Sequence, residues 1–272
     1  MKAVSGTRSV TAGLQSVTAA LKILRLFSVE RTSLGITEVA RHLNVAKSTA
    51  HRLMTSLMEE GFVYQDPKSR RYHLGLAVLG LGGIMTADSD LWMAAAPYLT
   101  ELTMRTGEAS HIAVQDGLYV VYLHKVESHH PVKILTHLGR RNPLYATGSG
   151  KLLLAYAEAD LVDAVVEQGL TAYTVKTLTD PVRLREQLQH IREQGYAVSR
   201  DELRDHVTSI AAPVFNHRRQ VVAAVNIVAP SHRVPAHVVG ERARAVVKTA
   251  DRISKDLGFR PERRATARTL AD

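Results

Sequence analysis

The chain contains no cysteine, which excludes disulfides, thiolate metal sites and cysteine nucleophiles together. No stretch approaches the ~18 consecutive apolar residues of a membrane span. Lys22 and Arg25 interrupt the only apolar run near the start, so a signal-peptide shape is absent as well. A cytoplasmic protein without membrane partners is expected. Aromatic residues are scarce, at 5% against 45% hydrophobic residues overall, and 272 residues are enough for two mainly aliphatic cores. The scarcity of acid is local. Residues 1–75 hold 11 Lys/Arg against 5 Asp/Glu, a net +6 out of the chain's +9, which leaves only +3 for the other 197 residues. A basic surface kept for solubility would be spread evenly; one concentrated in a quarter of the chain is a footprint for a polyanion such as DNA.

That basic quarter contains residues 36–62, two short helical patterns around a polar break. Thr37 is the expected N-cap of the first, with Val39, Ala40 and Leu43 on its apolar face. Asn44 breaks the pattern, and a second helix is expected from about Ala46 to Glu60, stopped by Gly61. Ala50, Leu53, Met54 and Leu57 point inward from it, which leaves Lys47, Ser48, His51, Arg52 and Thr55 on the opposite face. This layout places a recognition helix in a major groove. Two strand-like runs follow, Phe62-Val63-Tyr64 and Tyr72-His73-Leu74, joined by a turn carrying Lys68, Arg70 and Arg71. A basic hairpin at this place is a wing suited to phosphate or minor-groove contact. An ordinary helical hairpin would have no need of five cations around one pair of elements.

The segment resembles the winged helix of the IclR family of bacterial transcriptional regulators. The likeness is carried by Ile36-Thr37-Glu38-Val39-Ala40, by Lys47-Ser48-Thr49-Ala50-His51-Arg52-Leu53, by Glu60-Gly61-Phe62 and by Tyr72-His73-Leu74-Gly75. The family's Lys/Arg-Ser-Thr opening of the recognition helix, followed by Arg, is met at Lys47, Ser48, Thr49 and Arg52, and the likeness extends to about residue 260. It implies an α/β two-domain fold: an N-terminal winged helix-turn-helix, a linker helix and a C-terminal α+β GAF-like effector-binding domain. The boundaries expected are a disordered tail at 1–11, the DNA-binding domain at 12–75, the linker helix at 76–93, the effector domain at 94–260 and a mobile tail at 261–272.

Around the winged helix, an N-terminal helix is expected from about Leu14 to Val29, with a narrow seam of Leu14, Val17, Leu21 and Leu24. The seam packs on the recognition unit, forms a dimer contact, or does both. Gly75 to about Arg105 reads as mostly helical, with Gly80, Gly82 and Gly83 as a weak point or a close-packing site. From Ala109 the texture becomes strands with flanking helices. An Asp116-Gly117 hairpin joins strands at 111–115 and 118–123, and a strand at Val132–Leu135 follows. Helices are expected at about 148–157, 161–168, 183–194 and 237–257, and further strands at 197–199, 209–215 and 221–228.

Three constellations could carry chemistry in this half. Tyr145-Ala146-Thr147-Gly148-Ser149-Gly150-Lys151 is a small-residue loop opening a helix, whose free N–H groups would suit a carboxylate. It is not a Walker loop, because Tyr145 and Leu152 stand where that motif needs Gly and Ser/Thr, and it lacks the glycine spacing of a nucleophile elbow. Asn226 is a polar side chain inside an apolar strand and needs a partner, either a neighbouring loop or a ligand. The histidines, including His111, His124, His129, His130 and His137, show no metal-ligand spacing, so no metal or cofactor is expected; His111 alone sits where a strand could face a pocket. By resemblance, the effector site takes Thr147, Gly148, Ser149, Gly150, Ser199, Ser209, Asn226 and Val228. Val228, where relatives often have small polar groups, points to a less polar, aromatic ligand.

The function expected is a sequence-specific, double-stranded-operator-binding regulator that acts as a dimer or tetramer. It would be a repressor of a catabolic operon, controlled by a small carboxylate. Lys47, Arg70 and Arg71 would hold phosphates, while Ser48, Thr49, His51 and Arg52 approach base edges, and Thr55 and Lys68 complete the DNA-binding set. Two rivals remain. A hydrolase-like enzyme domain fused to a DNA-binding module lacks any nucleophile–base–acid spacing. An architectural DNA-binding protein would have no use for an elaborate second domain.

Overall fold

The computed structural model describes residues 14–260 apart from 29, 88, 133 and 135. It divides into two compact units, with the boundary between Asp88 and Ser89. The expected tails at 1–11 and 261–272 lie outside the described residues.

In the first unit, α1 (Gln15–Leu24), α2 (Ile36–Leu43) and α3 (Lys47–Glu59) precede a two-stranded antiparallel sheet of β1 (Val63–Gln65) and β2 (Tyr72–Leu74), and α4 (Leu76–Ala87) follows. Ile23, Leu34, Val39, Ala50, Met54 and Tyr72 are fully or almost fully buried in its core. Burial of Ile23, Leu34, Val39 and Met54 contributes about 1.5–3 kcal/mol each. The N-cap of α2 is Gly35 rather than Thr37, and the Glu38 carboxylate accepts the Gly35 N–H at 2.9 Å. Asn44 ends the helix in the left-handed conformation at φ 54°, which gives the tight turn into α3. Of the seam on α1, Leu14, Val17 and Leu21 are 75, 53 and 57% exposed, while Leu24 packs against the core that Ile23 enters. Leu76, Leu79 and Ile84 of α4 are also exposed, and a Cβ added to any of the three glycines of that helix would enter open space.

The second unit opens with α5 (Asp90–Thr106), capped by the Ser89 side chain on Trp92 N–H. Residues 90–93, expected in the linker, are therefore the first turn of α5. The sheet runs in the order β5-β4-β3-β8-β7-β6, from β3 (Ala109–Asp116), β4 (Tyr119–Val126), β5 (Arg141–Pro143), β6 (Ala197–Arg200), β7 (Val207–Phe215) and β8 (Val221–Pro230). Every pairing is antiparallel, so this unit is α+β. Val132 and Ile134 are irregular chain, so the described part of 132–135 is not a strand.

Alternation along the strands gives the sheet two packed faces. Ile112, Ile210, Val225 and Ile227 point to the face covered by α5 and α9 (Ala236–Asp256). Ala113, Ala211 and Ala224 point to the other, under α6 (Gly148–Tyr156) and α8 (Pro181–Gln194), and α7 (Ala159–Glu167) adds Val162 and Val165 to that core. The small side chains let α6 come close to the sheet, and that closeness shapes the candidate pocket.

Candidate DNA-binding face and effector pocket

On α3, Ala50, Met54 and Leu57 are buried, while Lys47, Ser48, Thr49, His51 and Arg52 are exposed and Thr55 half-buried. The helix starts after Ala46, which offers no side-chain cap. Its first N–H groups, beside Lys47, are left to an outside acceptor, as a phosphate-facing helix start requires. In the β1–β2 turn, Asp66 accepts from the N–H groups of Lys68 and Ser69 at 3.1 and 2.6 Å, which fixes the loop; Arg70 at its end has φ 57°. Lys68 and Arg70 are exposed.

Arg71 is used differently from its neighbour. Its guanidinium donates to Ser33 Oγ, to the Ser33 carbonyl and to Glu38 Oε2 at 2.8, 3.1 and 2.9 Å. The Gly35 N–H and Arg71 together hold the Glu38 carboxyl below the usual range. A side chain bound on two edges braces the wing against α2.

In the second unit, a pocket opens between the sheet and the loops around it. Of the eight expected effector residues, Thr147, Ser199, Ser209 and Val228 line it, and Gly148, Ser149, Gly150 and Asn226 do not. The start of α6 is not an open anion nest. The Gly148 N–H donates to Ser209 Oγ at 3.0 Å and the Gly150 N–H to Thr147 Oγ1 at 3.0 Å, so two of its free donors are already satisfied. Both glycines answer to close approach: a Cβ on Gly148 would lie 2.6 Å from Ser209 Oγ, and one on Gly150 at 2.3 Å from the Leu144 carbonyl oxygen. Ser199 Oγ donates to the Ala146 carbonyl at 3.3 Å.

The next residues pin this wall. Asp201, at φ 60°, accepts from Lys176 and Ser231 at 2.6 and 2.5 Å. Glu202 meets the fully buried Lys151 Nζ at 2.5 Å, and Gln187 takes the same ammonium at 3.0 Å. Burial pushes the Lys151 pKa down, while Glu202 works the other way.

Tyr122, Thr136, Arg140 and Arg204 also line the pocket, and the sequence reading did not single them out. Tyr122 carried a signal, since it lies two residues from the buried Val120 on the same face of β4. The two arginines carried none, because only the folding of separate loops brings them to one mouth. Among the described residues no group of three or more His, Asp or Glu could hold a metal ion, and no helix is long and apolar enough to cross a membrane.

A winged helix-turn-helix with an open recognition helix, followed by an α+β unit that holds a pocket, defines a two-domain DNA-binding regulator. Residues 16–67 match the IclR helix-turn-helix domain and residues 85–255 the bacterial transcriptional regulator IclR C-terminal domain. The chain is 33% identical to the HTH-type transcriptional regulator XynR of Escherichia coli, over 90% of this chain and 98% of that one. It is 32% identical to the transcriptional repressor AllR of Salmonella paratyphi A, over 92% of each. An IclR homologue from Microbacterium hydrocarbonoxydans, crystallised with 4-hydroxybenzoate, has a TM-score of 0.79 at 26% identity, with 89% of this chain and 98% of that one covered. This protein belongs to the IclR family: it is a DNA-binding transcriptional regulator, not an enzyme.

Proposed function

We propose that the protein is a cytoplasmic repressor of a catabolic operon whose hold on its operator is set by a small organic acid in the second unit. The observation that carries this reading is a pocket lined by Ser209, Thr147, Arg140 and Arg204, in a chain whose exposed recognition face is basic. A relative named as a repressor and a homologue crystallised with an aromatic acid support it. The free space is about 60 Å³, whereas a cavity that accepts benzene measures about 150 Å³. Size therefore favours a short-chain acid, and an aromatic one would have to displace side chains. The exposed apolar residues of α1 and α4, among them Leu14, Val17, Leu76 and Leu79, support a dimer through the first unit. A two-fold dimer would read half-sites ~34 Å apart.

In this reading Lys47, Lys68 and Arg70 hold phosphates, with Ser48, Thr49, His51, Arg52 and Thr55 toward the bases. The test is fluorescence anisotropy on operators obtained by in vitro selection. Arg52→Ala should erase preference at one base pair, worth about 1–3 kcal/mol. Arg70→Ala should weaken all duplexes alike and lower the salt slope by about 1. Equal behaviour of the two variants would contradict these roles.

A further inference from the structure

Beside β6, the last strand of the sheet, lies a second cleft that is separate from the effector pocket. It is lined by Lys176, Arg183, Glu186, Gln187, Arg200 and Glu202, none of which lines the other. Alternation along β6 keeps the two apart: Ser199 turns to the pocket, Val198 and Arg200 to the cleft. The free space of the cleft is about 560 Å³, within the range of small-molecule sites. Glu202 stands in its wall, more than nine-tenths buried. One of its carboxylate oxygens meets Lys151, while the other, Oε2, has no hydrogen-bond partner.

Lys151 already supplies Glu202 with a cation, so a second ammonium there would face like charge. What the orphan oxygen lacks is a neutral donor. A hydroxyl is such a donor, and it can accept in return from the Gln187 amide nitrogen, whose carbonyl oxygen is taken by Lys151. The rim has another character. Lys176 and Arg200 are held there by Asp201 and by the Val234 carbonyl. Arg183, exposed one turn before Gln187 on α8, has no ion-pair partner among the described residues. Three cations spread around one exposed carboxylate, that of Glu186, suit a dianion with three acceptor oxygens. A carboxylate would be satisfied by a single guanidinium.

We propose that this cleft is a second ligand site, and that it takes a phosphate monoester bearing hydroxyl groups, of the sugar-phosphate kind. The phosphate sits against Arg183, and a hydroxyl of the same molecule lies between Glu202 Oε2 and Gln187. A small turn of the Glu202 carboxylate about its final, soft torsion brings that oxygen to the cleft while Lys151 stays bound. Glu202 is followed in the chain by Leu203 and Arg204, which line the effector pocket, so a ligand on Glu202 bears on that pocket's wall. The proposal needs no assumption about what the effector pocket holds.

The test is isothermal titration of the full chain, free of DNA, with glucose 6-phosphate, glycerol 3-phosphate, inorganic phosphate and glucose. At least one ester should bind about tenfold more tightly than inorganic phosphate, and glucose more weakly than that ester. Arg183→Ala should weaken the ester about tenfold and leave DNA binding unchanged. Glu202→Gln, which exchanges an acceptor for a donor, should bring the ester and inorganic phosphate to the same affinity. Inorganic phosphate binding as tightly as both esters to the unaltered chain would overturn the hydroxyl assignment; a water held on Glu202 gives that result. Ester binding unmoved by Arg183→Ala would put the ester elsewhere, on the basic DNA-binding face, and overturn the site. Failure of both esters to bind would overturn the proposal outright. The ester-to-phosphate ratio needs no variant and Arg183 is exposed, so a folding defect in Glu202→Gln does not remove the test.

Discussion

Helices α3 and α6 both begin with small polar residues and an early lysine, Lys47-Ser48-Thr49 in one and Gly148-Ser149-Gly150-Lys151 in the other. Their starts are built in opposite ways. That of α3 has no side-chain cap and an exposed lysine. The start of α6 is closed by Thr147 and Ser209, and its lysine is sealed against Glu202. Orphan N–H groups at a helix start attract anions only when nothing within the protein has claimed them. Similar local sequences thus yield one uncapped, exposed helix start and one structural joint that shapes a pocket wall.

The sharpest way to test that contrast is to remove each lysine. Lys151→Ala leaves Glu202 buried without its partner and should cost about 3–5 kcal/mol, read by urea denaturation. Lys47→Ala should leave stability within about 0.5 kcal/mol while lowering DNA affinity. Comparable stability losses in the two variants would break the contrast.

Gly150→Ala comes next. Its Cβ would meet the Leu144 carbonyl oxygen at 2.3 Å, and a backbone neighbour cannot yield easily, so a loss of about 1–3 kcal/mol is expected. A neutral result by thermal melting would mean that α6 sits looser on its loop than described here.

Of similar size is an acid sensitivity traced to His111. Its folded pKa, pushed by burial from 6.5 to about 3, lies below the unfolded value. Between these values unfolding takes up a proton, so the stability His111 allows is complete above pH 6.5 and falls as the pH drops toward 3. The slope is at most about 1.4 kcal/mol per pH unit. His111→Gln should flatten stability against pH in that window, as measured by denaturant midpoints; an unchanged slope would contradict a neutral buried ring.

The smallest effect separates two adjacent arginines. Arg71→Ala removes bonds to Ser33 and Glu38 that are partly open to water, for a loss of about 1 kcal/mol. Arg70→Ala should leave the melting temperature unchanged. If Arg71→Ala lowers the salt slope of DNA binding and spares stability, its role is phosphate contact after all.

The sequence carried the first unit well because its signals are local. The apolar spacing of Ala50, Met54 and Leu57 defines one face of α3, and Asn44 marks the turn. Residue pairs far apart were another matter. Nothing near Arg71 announces Ser33 or Glu38, and nothing near Gly148 announces that Ser209 takes its N–H, so a satisfied helix start read as a vacant anion site. The pocket was half legible for the same reason. Ser209 and Val228, which the family resemblance named, meet across paired strands at the pocket, whereas Arg140 and Arg204 reach its mouth from loops whose course depends on the whole domain.

The most direct test of the central claim is anisotropy titration of a selected operator duplex and a scrambled one, with and without each of a set of small organic acids at saturating concentration. The account predicts clear preference for the operator, a steep decline with salt, and an affinity that at least one acid shifts by about tenfold, which corresponds to a coupling of ~1.4 kcal/mol. Equal affinity for both duplexes, unmoved by any acid, would contradict it.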